Sequence, residues 1–123
     1  MASGWDETRD MLQTYAQLDQ PETTTHTAQM IATHAKAMLD LFSDLRDSFE
    51  DDALTVGTSH ATLFLQPTGS HRTVNIFYDT ETAYHVYIYD PTLGPRGEIL
   101  EERYVARDEV IAQVRYLLGI ILT

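Results

Sequence analysis

Apolar residues recur at alternating spacings of three and four through the middle of the N-terminal half of the chain. This pattern predicts a long amphipathic helix, because it places the side chains on one face of a 3.6-residue period. We expect the helix to end by Phe49, since the helix dipole disfavours the acidic residues 50–52 that follow. The apolar positions are Ala28, Ile31, Ala35, Met38, Phe42, Leu45 and Phe49.

A shorter helix is predicted before the long one. Ser3 and Asp6 resemble a capping box, which satisfies the free N–H groups at a helix start. We expect this helix to end near residues 19–21 and to pack antiparallel to the long helix, with a sheet covering the rest of the seam. The alternative for the seam is a coiled-coil or bundle-like homodimer. The apolar residues of the short helix are Trp5, Met11, Leu12, Tyr15 and Leu18.

From residue 53 onwards the apolar pattern changes from helical to alternating, which predicts β-strands. Strands are expected at 61–66, 73–78, 83–89 and 99–105, and their short connections favour an antiparallel meander. A last helix begins with Asp108 and Glu109, whose carboxylates suit a helix start. For 123 residues we therefore predict a single α+β domain over 1–123. It comprises two N-terminal helices, a four-stranded antiparallel meander sheet and a C-terminal helix.

The central strands are rich in aromatic residues, and both faces of the predicted sheet are apolar. Either helices cover both faces, or one face meets a partner. His85, Tyr87 and Tyr89 are therefore candidates for a sheet interface, or for a pocket between sheet and helices. In the simplest register one face holds Val74, Ile76, Tyr78, His85, Tyr87 and Tyr89, and the other holds Phe77, Tyr84, Val86 and Ile88.

Four aspartates, Asp40, Asp44, Asp47 and Asp51, follow the long helix at spacings of 4, 3 and 4. They lie roughly 200° from the apolar seam at about 100° per residue, so they should point outwards, and we expect no role for them in holding the fold together. Successive carboxylates are roughly 4.5–6 Å apart along the axis, close to the spacing of phosphates in nucleic acid. The stripe could bind a basic groove, or it could be a solvated helix face.

The net charge of −11 is uneven: residues 1–55 hold eleven acids and three bases, residues 56–123 eight acids and five bases. Such a field repels nucleic acid and anionic membranes and attracts basic surfaces. One Lys, seven Arg and sixteen Thr are typical of salt-adapted organisms, although high genomic GC also replaces Lys by Arg. With no basic-then-apolar leader and no apolar run near the ~20 residues of a membrane span, we predict a cytoplasmic protein.

No catalytic, cofactor or metal motif stands out. The chain lacks Cys, a phosphate-binding loop and the common zinc-hydrolase and nucleophile motifs. His26 and His34 are eight residues apart with Met30 between them, whereas helical metal sites place ligands four residues apart. We therefore expect no enzyme activity, no cofactor and no metal.

Three hypotheses for function remain. The first is an acidic, non-enzymatic interaction module, for example an inhibitor, immunity-type or nucleic-acid-mimic protein, that presents its aspartate helix to a basic protein. Its small size, negative charge and lack of catalytic motifs resemble the composition of nuclease inhibitors, immunity proteins and viral counter-defence proteins. The second is a homo-oligomeric structural or adaptor protein that associates through the helix seam or the tyrosine-rich sheet face. The third is a small-ligand sensor domain, or an uncharacterised enzyme, with a pocket between the sheet and the helices.

Overall fold

The chain folds into an α+β structure, as predicted, in a computed structural model that describes residues 4–18, 26–80 and 83–122. Within those residues three α-helices accompany one five-stranded sheet, one strand more than predicted. The elements in order are α1 (Trp5–Ala16), α2 (His26–Phe49), β1 (Leu54–Ser59), β2 (Thr62–Pro67), β3 (Thr73–Thr80), β4 (Ala83–Asp90), β5 (Glu98–Val105), a 3₁₀ turn (Arg107–Glu109) and α3 (Val110–Leu122).

The strand that the sequence pattern missed is β1. It pairs along its whole length with β2, from Leu54 opposite Pro67 to Ser59 opposite Thr62. Only two of its residues are large and apolar, and a glycine and small polar residues fill the rest, so its alternation is weak. Ala61, predicted to begin a strand, lies instead in the turn between β1 and β2 with a φ of 71°.

The sheet is an antiparallel meander in the order β1-β2-β3-β4-β5. Its central register differs by one residue from the simplest one, because the strands extend into the predicted turn and β3 has an irregularity between Tyr78 and Thr80. His85 consequently pairs with Phe77, and Tyr84 with Tyr78. A one-residue shift in pairing moves every side chain of a strand to the opposite face of the sheet. The prediction of which β4 side chains share a face with which β3 side chains was therefore wrong.

The hydrophobic core lies between the three helices and one face of the sheet. Burial of this continuous apolar surface is the main source of stability. The strand residues of this core are Leu54, Val56, Leu63, Leu65, Val74, Ile76, Tyr84, Val86, Ile88 and Val105, and α2 contributes Ala35, Met38, Leu41, Phe42, Leu45 and Phe49. The seam of α2 is therefore buried within its own chain.

The two N-terminal helices pack antiparallel to each other, as predicted, with the start of α1 beside the end of α2. Trp5 meets Phe42 edge-on with ring centroids 5.6 Å apart, and Asp6 pairs with Arg46 at 2.9 Å. As predicted, α2 ends at Phe49, whereas α1 ends earlier than expected, at Ala16. Residues 19–21 lie outside the described residues.

The start of α1 is fixed against the edge strand β1. Ser3, the predicted cap, lies outside the described residues, and the N-cap position is Gly4, with a left-handed φ of 92°. A Cβ atom there would come within 2.2 Å of the Val56 carbonyl oxygen, so only glycine fits. Thr8 Oγ1 also donates to that oxygen at 3.2 Å. Among the described residues, no helix is long and apolar enough to cross a membrane.

Candidate functional site

The face of the sheet opposite the helices is the most distinctive surface of the molecule. We call it the open face. None of its residues belongs to the hydrophobic core, and most of them are half-buried or exposed. Its side chains come from all five strands: Thr55 and Gly57, Phe64 and Gln66, Thr73 and Asn75, His85, Tyr87 and Tyr89, and Ile99, Glu102 and Tyr104.

His85 is the centre of an aromatic stack on the open face. Its ring is parallel to that of Tyr104, with centroids 4.3 Å apart and an interplanar angle of 2°. Tyr87, two residues along the same strand, lies on its other side at 4.5 Å and 34°. His85 Nε2 is 2.9 Å from Glu102 Oε1, and the imidazole is only 13% exposed. His85 thus packs as one ring among three, with its polar edge paired to a carboxylate.

Hydrogen bonds hold the neighbouring side chains in place. Thr73 Oγ1 donates to Asn75 Oδ1 at 2.5 Å, and Asn75 Nδ2 donates to the Tyr87 hydroxyl at 3.5 Å. Burial raises the pKa of Tyr87, and the hydrogen bond from Asn75 opposes that shift. The Tyr89 hydroxyl donates to the Arg96 carbonyl oxygen at 2.5 Å. The open face is therefore a preorganised surface rather than a set of freely rotating side chains.

The aromatic surface extends to the far edge of the sheet. A Cβ atom on Gly57 would lie 2.4 Å from the Phe64 ring, so the phenyl ring covers the glycine across the β1–β2 pair. Phe77 pairs with His85, but its ring meets His34 of α2 edge-on at 4.7 Å. Burial lowers the pKa of His34, while Asp79 opposes that effect.

The structure places His85, Tyr87 and Tyr89 together, but on the face turned away from the helices. They therefore do not line a pocket between sheet and helices. The cluster contains an acid–base pair, His85 and Glu102, and within the described residues no hydroxyl nucleophile is hydrogen-bonded to that histidine.

The aspartate stripe is exposed, as predicted, but half of it is engaged by Arg107. Arg107 Nε donates to Asp40 Oδ2, and Nη2 donates to the Asp40 carbonyl oxygen at 2.8 Å and lies 3.5 Å from Asp44 Oδ2. The hydrogen bond to Asp40 is the main cause of the raised pKa of Arg107. The expectation that these residues play no part in the fold was wrong for Asp40 and Asp44, because they connect α2 to the turn before α3.

The other two aspartates differ from this pair. Asp47 is exposed on α2, and Asp51 lies in the turn after the helix ends. Neither forms an ion pair with another described residue. The continuous stripe on one helix thus comprises three residues, and Arg107 offsets part of its charge.

A buried carboxylate that sequence reasoning missed is Asp90, at the end of β4. It is 1% exposed, and it accepts hydrogen bonds from Thr92 N at 2.9 Å and Oγ1 at 2.6 Å, and from Arg72 Nε at 2.9 Å. These contacts, with the Thr92 hydroxyl as the largest contributor, lower its pKa to about 2. The Asp-Pro-Thr sequence, which is typical of a turn closed by an aspartate side chain, was the available signal. Asp90 fixes the β4–β5 loop beside the open face.

Among the described residues, no group of three or more His, Asp or Glu side chains is placed to hold a metal ion. Comparisons with protein-family models, curated protein sequences and solved structures found no match.

Proposed function

We propose that this chain is a non-enzymatic interaction module that forms a homodimer through its open face. The observation that carries the proposal is a half-exposed aromatic sheet face that the described helices leave open, apart from the contact of His34 with Phe77 at one end. Tyrosine and other aromatic side chains are enriched where proteins meet, since they bury a large area and keep a polar group at the rim.

The distribution of charge favours a second copy of the chain as the occupant. The chain carries 27 charged residues and a net charge of −11, yet among the described residues of the open face the one formally charged residue is Glu102, which is paired with His85. The aspartates of α2 are exposed on the helix side of the molecule. Packing through the open faces therefore separates the two acidic surfaces by more than the Debye length of about 8 Å, whereas contact through α2 would bring them together.

The size of the open face is adequate for association. Five strands about 4.8 Å apart and about seven residues long span roughly 550 Å² in projection. The accessible area of a surface covered with side chains exceeds its projection, so it approaches the ~800 Å² per partner of a standard interface.

The edges of the sheet are protected, which leaves the face as the surface available for pairing. On β5, Leu100 is an extra residue between the pairs Ile88–Glu101 and Tyr89–Ile99, and acidic residues line the strand. Bulges and charges of this kind prevent edge-to-edge pairing. At the other edge, α1 contacts β1 through Thr8 and Val56.

The molar mass in solution tests this proposal. Light scattering coupled to gel filtration should give twice the 14.0 kDa of one chain at tens of micromolar protein. Tyr104→Glu places a new charge on the open face at a side chain that is 59% exposed, and it should give a folded monomer. Tyr116→Glu is the matched control, since this tyrosine of α3 is 53% exposed on the helix side, and it should remain dimeric. A wild-type protein that is still monomeric at 0.5 mM would have a dimer Kd of roughly millimolar or weaker, and this result would refute the dimer.

A second candidate function is the binding of a basic partner by the acidic end of α2. Asp47 and Asp51 support it, because they lack ion pairs among the described residues while Arg107 fixes the helix that carries Asp47. Titration with a decalysine peptide tests it. Asp47→Asn with Asp51→Asn should weaken binding more than the charge-matched control Asp108→Asn with Glu109→Gln. Equal weakening would mean that only the overall charge matters.

A further inference from the structure

A cleft on the helix side of the molecule, away from the open face, has the features of a ligand site. It has a volume of about 400 Å³, within the range of small-molecule sites. The end of α2, the entry to β1, the turn after β2 and the last turns of α3 form its walls. The residues that line its apolar interior include Phe49, Leu54, Pro67, Leu118 and Leu122.

Arg115 provides the cleft with a positive charge. Its guanidinium carbon lies 5.0 Å from the centroid of the Phe49 ring, a cation–π contact that holds it beside the apolar wall. It forms no ion pair with any described residue, even though Asp52 lines the same cleft. Five of the six other arginines each have a carboxylate within 4.0 Å: Arg9, Arg46, Arg72, Arg103 and Arg107. In a chain with 19 acids and eight bases, this arginine is available for an external anion.

Gly119 is a second, independent indication of a ligand. It lies inside α3, where glycine is roughly 0.5–1 kcal/mol less favourable than alanine. Its φ is not positive, and a Cβ atom there would meet nothing within 4 Å, so neither the backbone nor the packing of the chain requires glycine. Gly119 lines the cleft, and its missing side chain leaves room for an occupant.

We infer that the cleft binds a small amphipathic monocarboxylate, with its carboxylate on Arg115 and its apolar body against Phe49, Leu118 and Leu122. The guanidinium group suits a carboxylate because it donates two parallel hydrogen bonds. Asp52 disfavours a second negative charge in the same space, so the ligand carries one. A saturated chain of about ten carbons fits the volume.

Isothermal titration with sodium decanoate, below its micelle concentration, tests this inference. Wild-type protein should bind one decanoate per chain with a Kd below about 1 mM, and more tightly than decylammonium, although a net charge of −11 attracts the cation. Absence of decanoate binding at 10 mM would mean a binding free energy weaker than about −3 kcal/mol, and it would overturn the proposal. Tighter binding of decylammonium than of decanoate would overturn it as well.

Three variants locate the site. Arg115→Gln should weaken decanoate binding at least tenfold, and Arg115→Lys should weaken it less. Arg103→Gln is the matched control, because Arg103 stacks on Tyr116 of the same helix outside the cleft, and it should change the Kd less than twofold. Gly119→Leu should abolish binding without lowering the melting temperature, because leucine favours the helix and the added side chain projects into the cleft. Unchanged binding in Arg115→Gln or Gly119→Leu would contradict the proposed site.

Discussion

The imidazole of His85 and the phenol ring of Tyr104 stack in parallel across β4 and β5, with centroids 4.3 Å apart. Their position differs from that of the core aromatics, because the outer ring, Tyr104, is 59% exposed. A cross-strand ring pair of this kind stabilises a sheet and at the same time presents a flat apolar surface to a partner. The stack therefore links the stability of the sheet edge to its proposed role in association.

A double-mutant cycle measures the stack directly. His85→Ala and Tyr104→Ala should each lower the free energy of unfolding, with a coupling energy of about 0.5–1.5 kcal/mol between them. Urea denaturation at one fixed protein concentration gives the values, since association changes apparent stability. As the control, His85→Ala combined with Tyr116→Ala should be additive, because these two residues do not stack. A His85–Tyr104 coupling below about 0.3 kcal/mol would show that the rings contribute independently.

The contact of Arg107 with Asp40 should make a small but measurable contribution to stability. Both side chains are substantially exposed, 44% and 60%, so Arg107→Gln should destabilise the chain by less than about 1 kcal/mol. The loss should shrink in 1 M salt, where exposed charges are screened. Asp47→Asn is the comparison variant on the same helix and should leave stability unchanged or raise it slightly. A loss well above that limit, independent of salt, would mean that Arg107 acts through packing instead.

Asp90 should make stability depend on pH in the acidic range. Its folded pKa of about 2 lies below the ordinary value of 3.8, so folding favours the ionised form. Its contribution is complete above about pH 4 and is lost as the pH falls towards 2. Asp90→Asn should therefore be less stable than wild type at pH 6, and the difference should narrow steadily below pH 4. Thermal melts of the two proteins across this range check the sign, and a gap that widens on acidification would contradict it.

Replacement of Gly4, at the start of α1, should destabilise the chain more than replacement of a glycine in open space. Gly4→Ala combines a left-handed φ of 92° with a Cβ atom 2.2 Å from the Val56 carbonyl oxygen, so it should destabilise the chain by about 1–3 kcal/mol. Gly69→Ala separates the two effects, because Gly69 has a φ of 83° but open space around it. Chemical denaturation should show the larger loss for Gly4→Ala. Equal losses would indicate backbone strain alone, without a close contact between α1 and β1.

The sequence was sufficient to predict the elements whose apolar period is long and regular. The seam from Ala28 to Phe49 predicted α2, and the acidic residues 50–52 predicted its end. The alternation around Ile76 and Val86 predicted the meander, because local periodicity reports which face is buried. What it could not predict depends on contacts between distant residues. The short β1 becomes recognisable only through its pairing with β2, since its own alternation is interrupted at Gly57.

The composition of the candidate surface was predicted better than its geometry. His85, Tyr87 and Tyr89 do share a face, but an irregularity near Tyr78 determines which face, and turn geometry of that kind is not encoded in alternation. Tyr104 and Glu102 lie beside His85 because of the β4–β5 register, which the local sequence pattern does not reveal. Likewise, the pairing of Asp40 with Arg107, 67 residues apart, has no local signal.

The distance between two copies of α2 tests the central claim most directly. The chain has no cysteine, so Asp47→Cys carries a single spin label on the outward face of α2, and pulsed electron paramagnetic resonance measures the separation within a dimer. Two sheets and two helix layers, each packed at about 10 Å, with the radii of the outer helices added, predict a distance of at least about 40 Å. A distance below about 25 Å would indicate pairing through α2, and the absence of any dipolar signal between chains would indicate a monomer. Either result would contradict a dimer formed through the open face.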